Sequence, residues 1–165
     1  MSASEFGYSK RLGLDYSGDL YDDSFFNQLK SIPFDGVLLC NVLEHVTNVE
    51  ELARRVSQLI KPGGFLIFSG PYQYPVHYDP IDNGFRPEID EVLSLFDGYQ
   101  KVQGDIITDF SYSYYMLSSF KQLILMLLRV ITPFYKFKKW KGVVLPKFLW
   151  WSRTFKVTCV FMQKR

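Results

Sequence analysis

The sequence predicts an α/β fold on a mostly parallel sheet, and three consecutive stretches carry that prediction. Gly36 to Val42 is apolar without alternation, the pattern of a parallel strand covered on both faces. Thr47-Asn48-Val49-Glu50 then reads as a capping box, with Val49, Leu52, Ala53, Val56, Leu59 and Ile60 at helical spacing behind it. Arg54, Arg55 and Gln58 take the outer face of that helix. Phe65 to Ser69 is a second buried strand. Strand, helix, strand at this spacing is a βαβ crossover, whose two strands run parallel.

The other elements follow from local signals. Leu12 to Tyr16 reads as a short strand ending at Gly18-Asp19, and Asp22 to Leu29 as a short helix. Lys61-Pro62-Gly63-Gly64 stops the capped helix, because proline cannot continue the ladder and Gly63 can take the left-handed cap. Residues 70–87, GPYQYPVHYDPIDNGFRP, form a long loop fixed by four prolines and an Asn-Gly turn. Glu88 to Phe96 reads as a helix, Tyr99 to Ile107 as a strand and Phe155 to Gln163 as a last strand.

At 165 residues the chain suits one domain with one core. With 47% apolar and 22% charged residues it is not a disordered chain. Cys40 and Cys159 lie in strand-like runs and read as reduced, buried thiols. Together with an N-terminus lacking a signal-peptide pattern, they give a cytoplasmic expectation. The best span candidate, Tyr114 to Tyr135, is interrupted by Lys121 and Arg129, and its longest apolar run, Leu123 to Leu128, falls far short of the roughly 20 residues a spanning helix needs.

FDGVLLCNVLEHV, a capped helix and then LIKPGGFLIFSGP together resemble the second half of a class I S-adenosylmethionine-dependent methyltransferase of the methyltransferase type 11 kind. The signal spans residues 34–71, and YSGDLYD at 16–22 is similar to the end of that family's third strand. The resemblance implies a Rossmann-like, mostly parallel sheet with an antiparallel C-terminal strand, and makes residues 110–154 a helical basic insertion before that strand. It also implies S-adenosylmethionine as cofactor, with Asp19 and Leu20 at the adenine and Asn41 and Val42 beside the sulfonium. The methyl acceptor it leaves open, as a small molecule or a lipid-like one.

In open α/β sheets ligands bind outside the carboxyl ends of the strands. An acid and an imidazole there, Glu44 and His45, suit general base work on an acceptor, since methyl transfer needs alignment and a place for a proton. The alternative is that they satisfy backbone amides at a strand-to-helix turn. The 70–87 loop reads as a wall of the acceptor pocket, with Tyr72, Tyr74 and His77 lining it and Arg86 available for an anionic group, or else as a rigid surface loop. His77, Asp79 and Asp82 are not read as metal ligands, because Asp79-Pro80 and Asp82-Asn83-Gly84 are turn chemistry.

The family's N-terminal glycine-loop strand-helix-strand unit has no counterpart in MSASEFGYSKRLGLD, so the sequence reads either as the C-terminal part of a longer methyltransferase or as a degenerate relative. In both cases weak or absent cofactor binding is expected of this chain alone. A third reading comes from charge. Residues 1–109 carry all 17 acidic and eight basic side chains, whereas residues 110–165 carry 11 basic ones and no acid. Leu117, Phe120, Ile124, Leu127, Leu128 and Ile131 recur at helical spacing, followed by Lys136, Lys138, Lys139 and Lys141. That pattern suits either peripheral contact with an anionic membrane or packing on the sheet, and no specific nucleic acid is predicted.

Overall fold

The computed structural model describes residues 15–76, 81–131 and 150–165. Helix α1 (Asp23–Lys30) precedes strand β1 (Phe34–Cys40), and a single 3-10 turn (Leu43–His45) leads from it to helix α2 (Val49–Leu59). Then come β2 (Ile60–Gln73), α3 (Ile89–Ser94), β3 (Tyr99–Ser111), α4 (Tyr112–Leu117), α5 (Phe120–Ile131) and β4 (Thr154–Lys164). The sheet order is β1-β2-β4-β3, with β1 and β2 parallel and β4 antiparallel to both its neighbours. Three of the four strands therefore point one way and the C-terminal strand runs against them. This is the expected Rossmann-like arrangement.

Several boundaries move for local reasons. Residues 15 and 16 are not in a strand, and the rest of the Leu12–Tyr16 expectation lies outside the described residues. The cap of α2 is Asn48, not Thr47: its side chain accepts from Glu51 N at 2.9 Å. Arg55 turns inward from α2 rather than outward. It donates to Glu51, Asp23 and the Leu20 carbonyl and lies over the Phe26 ring, so it joins α1 to α2. The helix ends before the Pro-Gly-Gly stretch, at Leu59 with an extended Ile60 as its cap, so Gly63 is not the helix cap and lies within β2. Gly63 sits at φ +78°, and a Cβ on Gly64 would come within 2.8 Å of the Asp35 carbonyl.

Among the described residues the core lies on one face of the sheet. Leu39, Phe68 and Val160 are in register across β1, β2 and β4, and α2 (Leu52, Ala53, Val56) and Val92 of α3 with Phe96 just beyond it cover them. The next row, Leu38, Ile67 and Phe161, points the other way, and there Leu38 is 71% exposed. The expectation that β1 is covered on both faces is thus corrected. The apolar run lacks alternation, yet Leu38, Phe65 and Ile67 are all left exposed.

The thiols are corrected with it. Cys40 is exposed and Cys159 half-buried, in one row with Ser69 between them. Two strand widths separate them, about 9–10 Å, too far for a disulfide. Burial pushes the Cys159 thiol up, and the nearby Cys40 and Asp105 add to this. A thiol reagent such as dithionitrobenzoate is therefore expected to label Cys40 first, and Cys40→Ser should remove the fast phase. Equal rates for the two would show that β4 opens readily.

The helix read over 114–131 is two helices. Ser111 caps α4 by accepting from Tyr114 N, and the Ser119 carbonyl accepts from Leu123 N to start α5, so the chain breaks at Ser118-Ser119. Among the described residues no helix is long and apolar enough to cross a membrane. Lys136, Lys138, Lys139 and Lys141 lie outside the described residues.

Candidate functional site

The site forms where β1 ends. Asn41 takes φ +51°, a left-handed conformation that Asn tolerates better than most side chains, and its N–H donates to the Ser69 carbonyl at 2.8 Å. The backbone is thereby turned sharply away from the sheet while staying pinned to β2. Val42 follows, half-buried, and then the 3-10 turn sinks Leu43 fully into the core. Glu44 is only 3% exposed, and His45 stays partly open.

The loop after β2 clamps this turn. Asn83 does most of the work. Its Nδ2 donates to the carbonyls of Leu43 and Val46, both at 2.8 Å, and its N–H donates to the Glu44 carbonyl at 2.9 Å. His45 Nδ1 hydrogen-bonds the Ile81 carbonyl. A carbonyl only accepts, so Nδ1 carries the proton and a neutral His45 has its lone pair on Nε2. That Nε2 lies 3.9 Å from Glu44 Oε1. Glu44 thus lies within ion-pair distance of the ring if His45 is protonated.

The loop itself is held by a buried pair. Asp82 Oδ2 accepts from Arg86 Nη2 at 2.6 Å and Asp82 Oδ1 from Gly84 N, while Arg86 also reaches the carbonyls of Phe85 and Tyr74. Arg86 is therefore already neutralised, and an anionic ligand would have to compete with Asp82 for it. Tyr72 donates to Glu88 Oε1 at 3.1 Å, and that carboxylate raises the phenol's pKa. The Tyr74 ring lies 5.0 Å from Phe155, which also contacts Tyr112 and Trp150. His77 lies outside the described residues.

Of the candidate cofactor residues, Asp19 and Leu20 lie in a turn held against α2. Asp19 Oδ1 accepts from Tyr21 N, making a turn, and the Leu20 carbonyl is held by Arg55. Tyr21 then donates to the Asn48 carbonyl at 2.6 Å, which ties this turn to the start of α2, seven residues beyond Asn41 in the chain. Burial raises the Tyr21 pKa. Sequence reasoning missed Tyr21, Asn83 and the Asp82 pairing. The Asn-Gly signal at 83–84 marked a turn but not what its side chains would grip.

Two of the residues expected at the cofactor carry groups that suit one end of it. Asp19 offers an acceptor oxygen and Asn41 an amide at the strand exit. For an amino-acid carboxylate the described residues offer little. The described helices α1, α2 and α3 start with Asp22, Asn48 and Glu88 and carry acids in the first turn, and an Asp, Asn or Glu side chain already accepts from the free amides there.

Residues 16–68 match the family model of the methyltransferase domain. A search of curated proteins finds no match to the chain. Among solved structures, coclaurine N-methyltransferase bound to N-methylheliamine and S-adenosylhomocysteine is similar at 18% identity, over 81% of this chain and 47% of that one, with a TM-score of 0.47. The [4+2]-cyclase SpnF is similar at 14% identity, over 80% of this chain and 51% of that one, with a TM-score of 0.52. A putative sarcosine dimethylglycine methyltransferase from Galdieria sulphuraria is similar at 11% identity, over 80% and 53%, with a TM-score of 0.47. The chain thus spans about half the length of these proteins. The likeness to SpnF shows the fold alone, and since that protein is a cyclase, fold does not name a reaction. What the sequence match adds is a segment, residues 16–68, similar to the methyltransferase domain, set within a Rossmann-like fold.

Proposed function

We propose that this chain serves methyl transfer from S-adenosylmethionine to a small-molecule or lipid-like acceptor. The observation that carries it is the coincidence of the family match with a built strand exit, where the clamp of Asn83 and Ile81 holds Glu44 and His45 in place within residues 16–68. When bound, the cofactor supplies a methyl group on a positively charged sulfur. Asn41 and Val42 would flank that group, and Asp19 and Leu20 would hold the adenine. His45 takes up the acceptor's proton at Nε2 while Nδ1 stays on Ile81, and Glu44 balances the charge so formed. Tyr72 and Tyr74 flank the loop that would face the acceptor. Arg86 shapes that loop through Asp82, and binds an anionic acceptor group only by displacing it.

Because among the described residues only one end of the cofactor has candidate partners, titration calorimetry of S-adenosylmethionine into the 165-residue chain should show affinity weaker than micromolar. Saturation-transfer NMR with millimolar S-adenosylhomocysteine is expected to give a signal on the adenine protons, and Asp19→Ala with Asn41→Ala should remove it. No signal with the unaltered chain, or one indifferent to both changes, sinks the assignment of these residues.

A further inference from the structure

We propose that α4 and α5 form a docking surface for an anionic lipid bilayer, lying in its plane. This inference is independent of the methyl-transfer reading. Phe120, Ile124 and Leu127 recur at i, i+4 and i+7 on α5, and Phe120 is 76% exposed and Leu127 48%. Leu123, Met126 and Val130 turn to the half-buried side of the same helix. Leu117 of α4 is 60% exposed, and Phe110 and Tyr114 stack on each other at 4.6 Å, both facing water. A run of large apolar side chains facing water marks a surface made to be covered.

Charge selects what covers it. Residues 110–165 hold 11 basic side chains and no acid, and Lys121 stands exposed on the flank of the apolar stripe. A second copy would bring like charge against like, which disfavours self-association through this face. Nucleic acid would answer the charge but leave the aliphatic Ile124 and Leu127 in water. An anionic bilayer answers both, with headgroups for the cations and acyl chains for the apolar face. The six- and twelve-residue helices are too short to span it, so they lie at the interface.

The test is flotation of the full chain with vesicles of phosphatidylcholine alone or mixed with phosphatidylglycerol. Binding to the mixed vesicles only is expected, falling as salt rises. Phe120→Asp with Leu127→Asp should weaken it by about tenfold or more, and Leu38→Asp with Ile67→Asp on the bare sheet face should not. Both pairs change exposed positions, so circular dichroism should be unaltered; Phe120→Ser with Leu127→Ser repeats the test without added charge. Absence of binding overturns the proposal, as does equal binding to both vesicles. Sensitivity to the sheet-face pair instead of the helix pair also overturns it. So does concentration-dependent self-association abolished by Phe120→Asp, which would make the face an interface between copies.

Discussion

Leu39→Ala is expected to lower the unfolding free energy by about 2–5 kcal/mol, while the neighbouring Leu38→Ala changes it by less than about 0.5 kcal/mol. The two residues are adjacent on one strand and chemically identical, so propensity and backbone effects cancel in the comparison. What differs is the face. Leu39 is 5% exposed and packs with Phe68, Leu43 and Val160 beneath α2, so truncating it leaves a cavity that its neighbours cannot fill without moving the strand. Leu38 gives up little on truncation because water already reaches most of it. Urea unfolding followed by far-UV circular dichroism, with the slope unchanged between variants, measures both. A cost above about 1 kcal/mol for Leu38→Ala would mean that something covers the second face in solution.

Asp82→Ala should cost about 3–5 kcal/mol, because it strands a guanidinium that is itself mostly out of water. The Arg86 side chain is 15% exposed and Asp82 fully buried. Removal also frees Gly84 N and loosens the turn through which Asn83 holds Leu43, Glu44 and Val46. Adding Arg86→Met should recover much of the loss, since replacing both partners of a buried pair with apolar groups is often neutral. Urea unfolding of the two singles and the double gives the coupling. If Asp82→Ala costs no more than a surface change and the double recovers nothing, the pair is not what holds the loop. Hydrogen exchange at the amides of residues 43–46 should rise in step with the single change.

The parts legible in the sequence were those where one local rule decides. Periodicity gave α2, the Pro-Gly-Gly stop gave its end, and the Val-Leu-Leu run gave β1, each confirmed within a few residues. The antiparallel C-terminal strand came through the resemblance and is what the structure shows, as β4. Burial of Leu38 was misread because an apolar run says that both faces suit a core, not that both find one. Arg55 was misread because helical spacing gives a direction around the axis and not the acids of another helix, here Asp23. The Asn83 clamp was illegible for a similar reason: it joins residues up to 40 positions apart, and no pattern within the loop names its partners.

The place of β4 bears on how the chain is born. It lies between β2 and β3 in space but follows both along the chain, and Gln163 donates to the Gly63 carbonyl across 100 residues. As the polypeptide leaves the ribosome, β1, α2 and β2 can assemble early as a local unit, whereas β3 emerges with no neighbour to pair with. Until β4 is released, β3 and the distal side of β2 wait with unpaired amides, and Phe68 and Leu66 lack the cover of Val160 and Met162. Closure of so many long-range pairs is slow once it begins. The nascent chain therefore spends its most exposed interval while residues 112–153 are being made, and a translational pause there would lengthen its need for a chaperone.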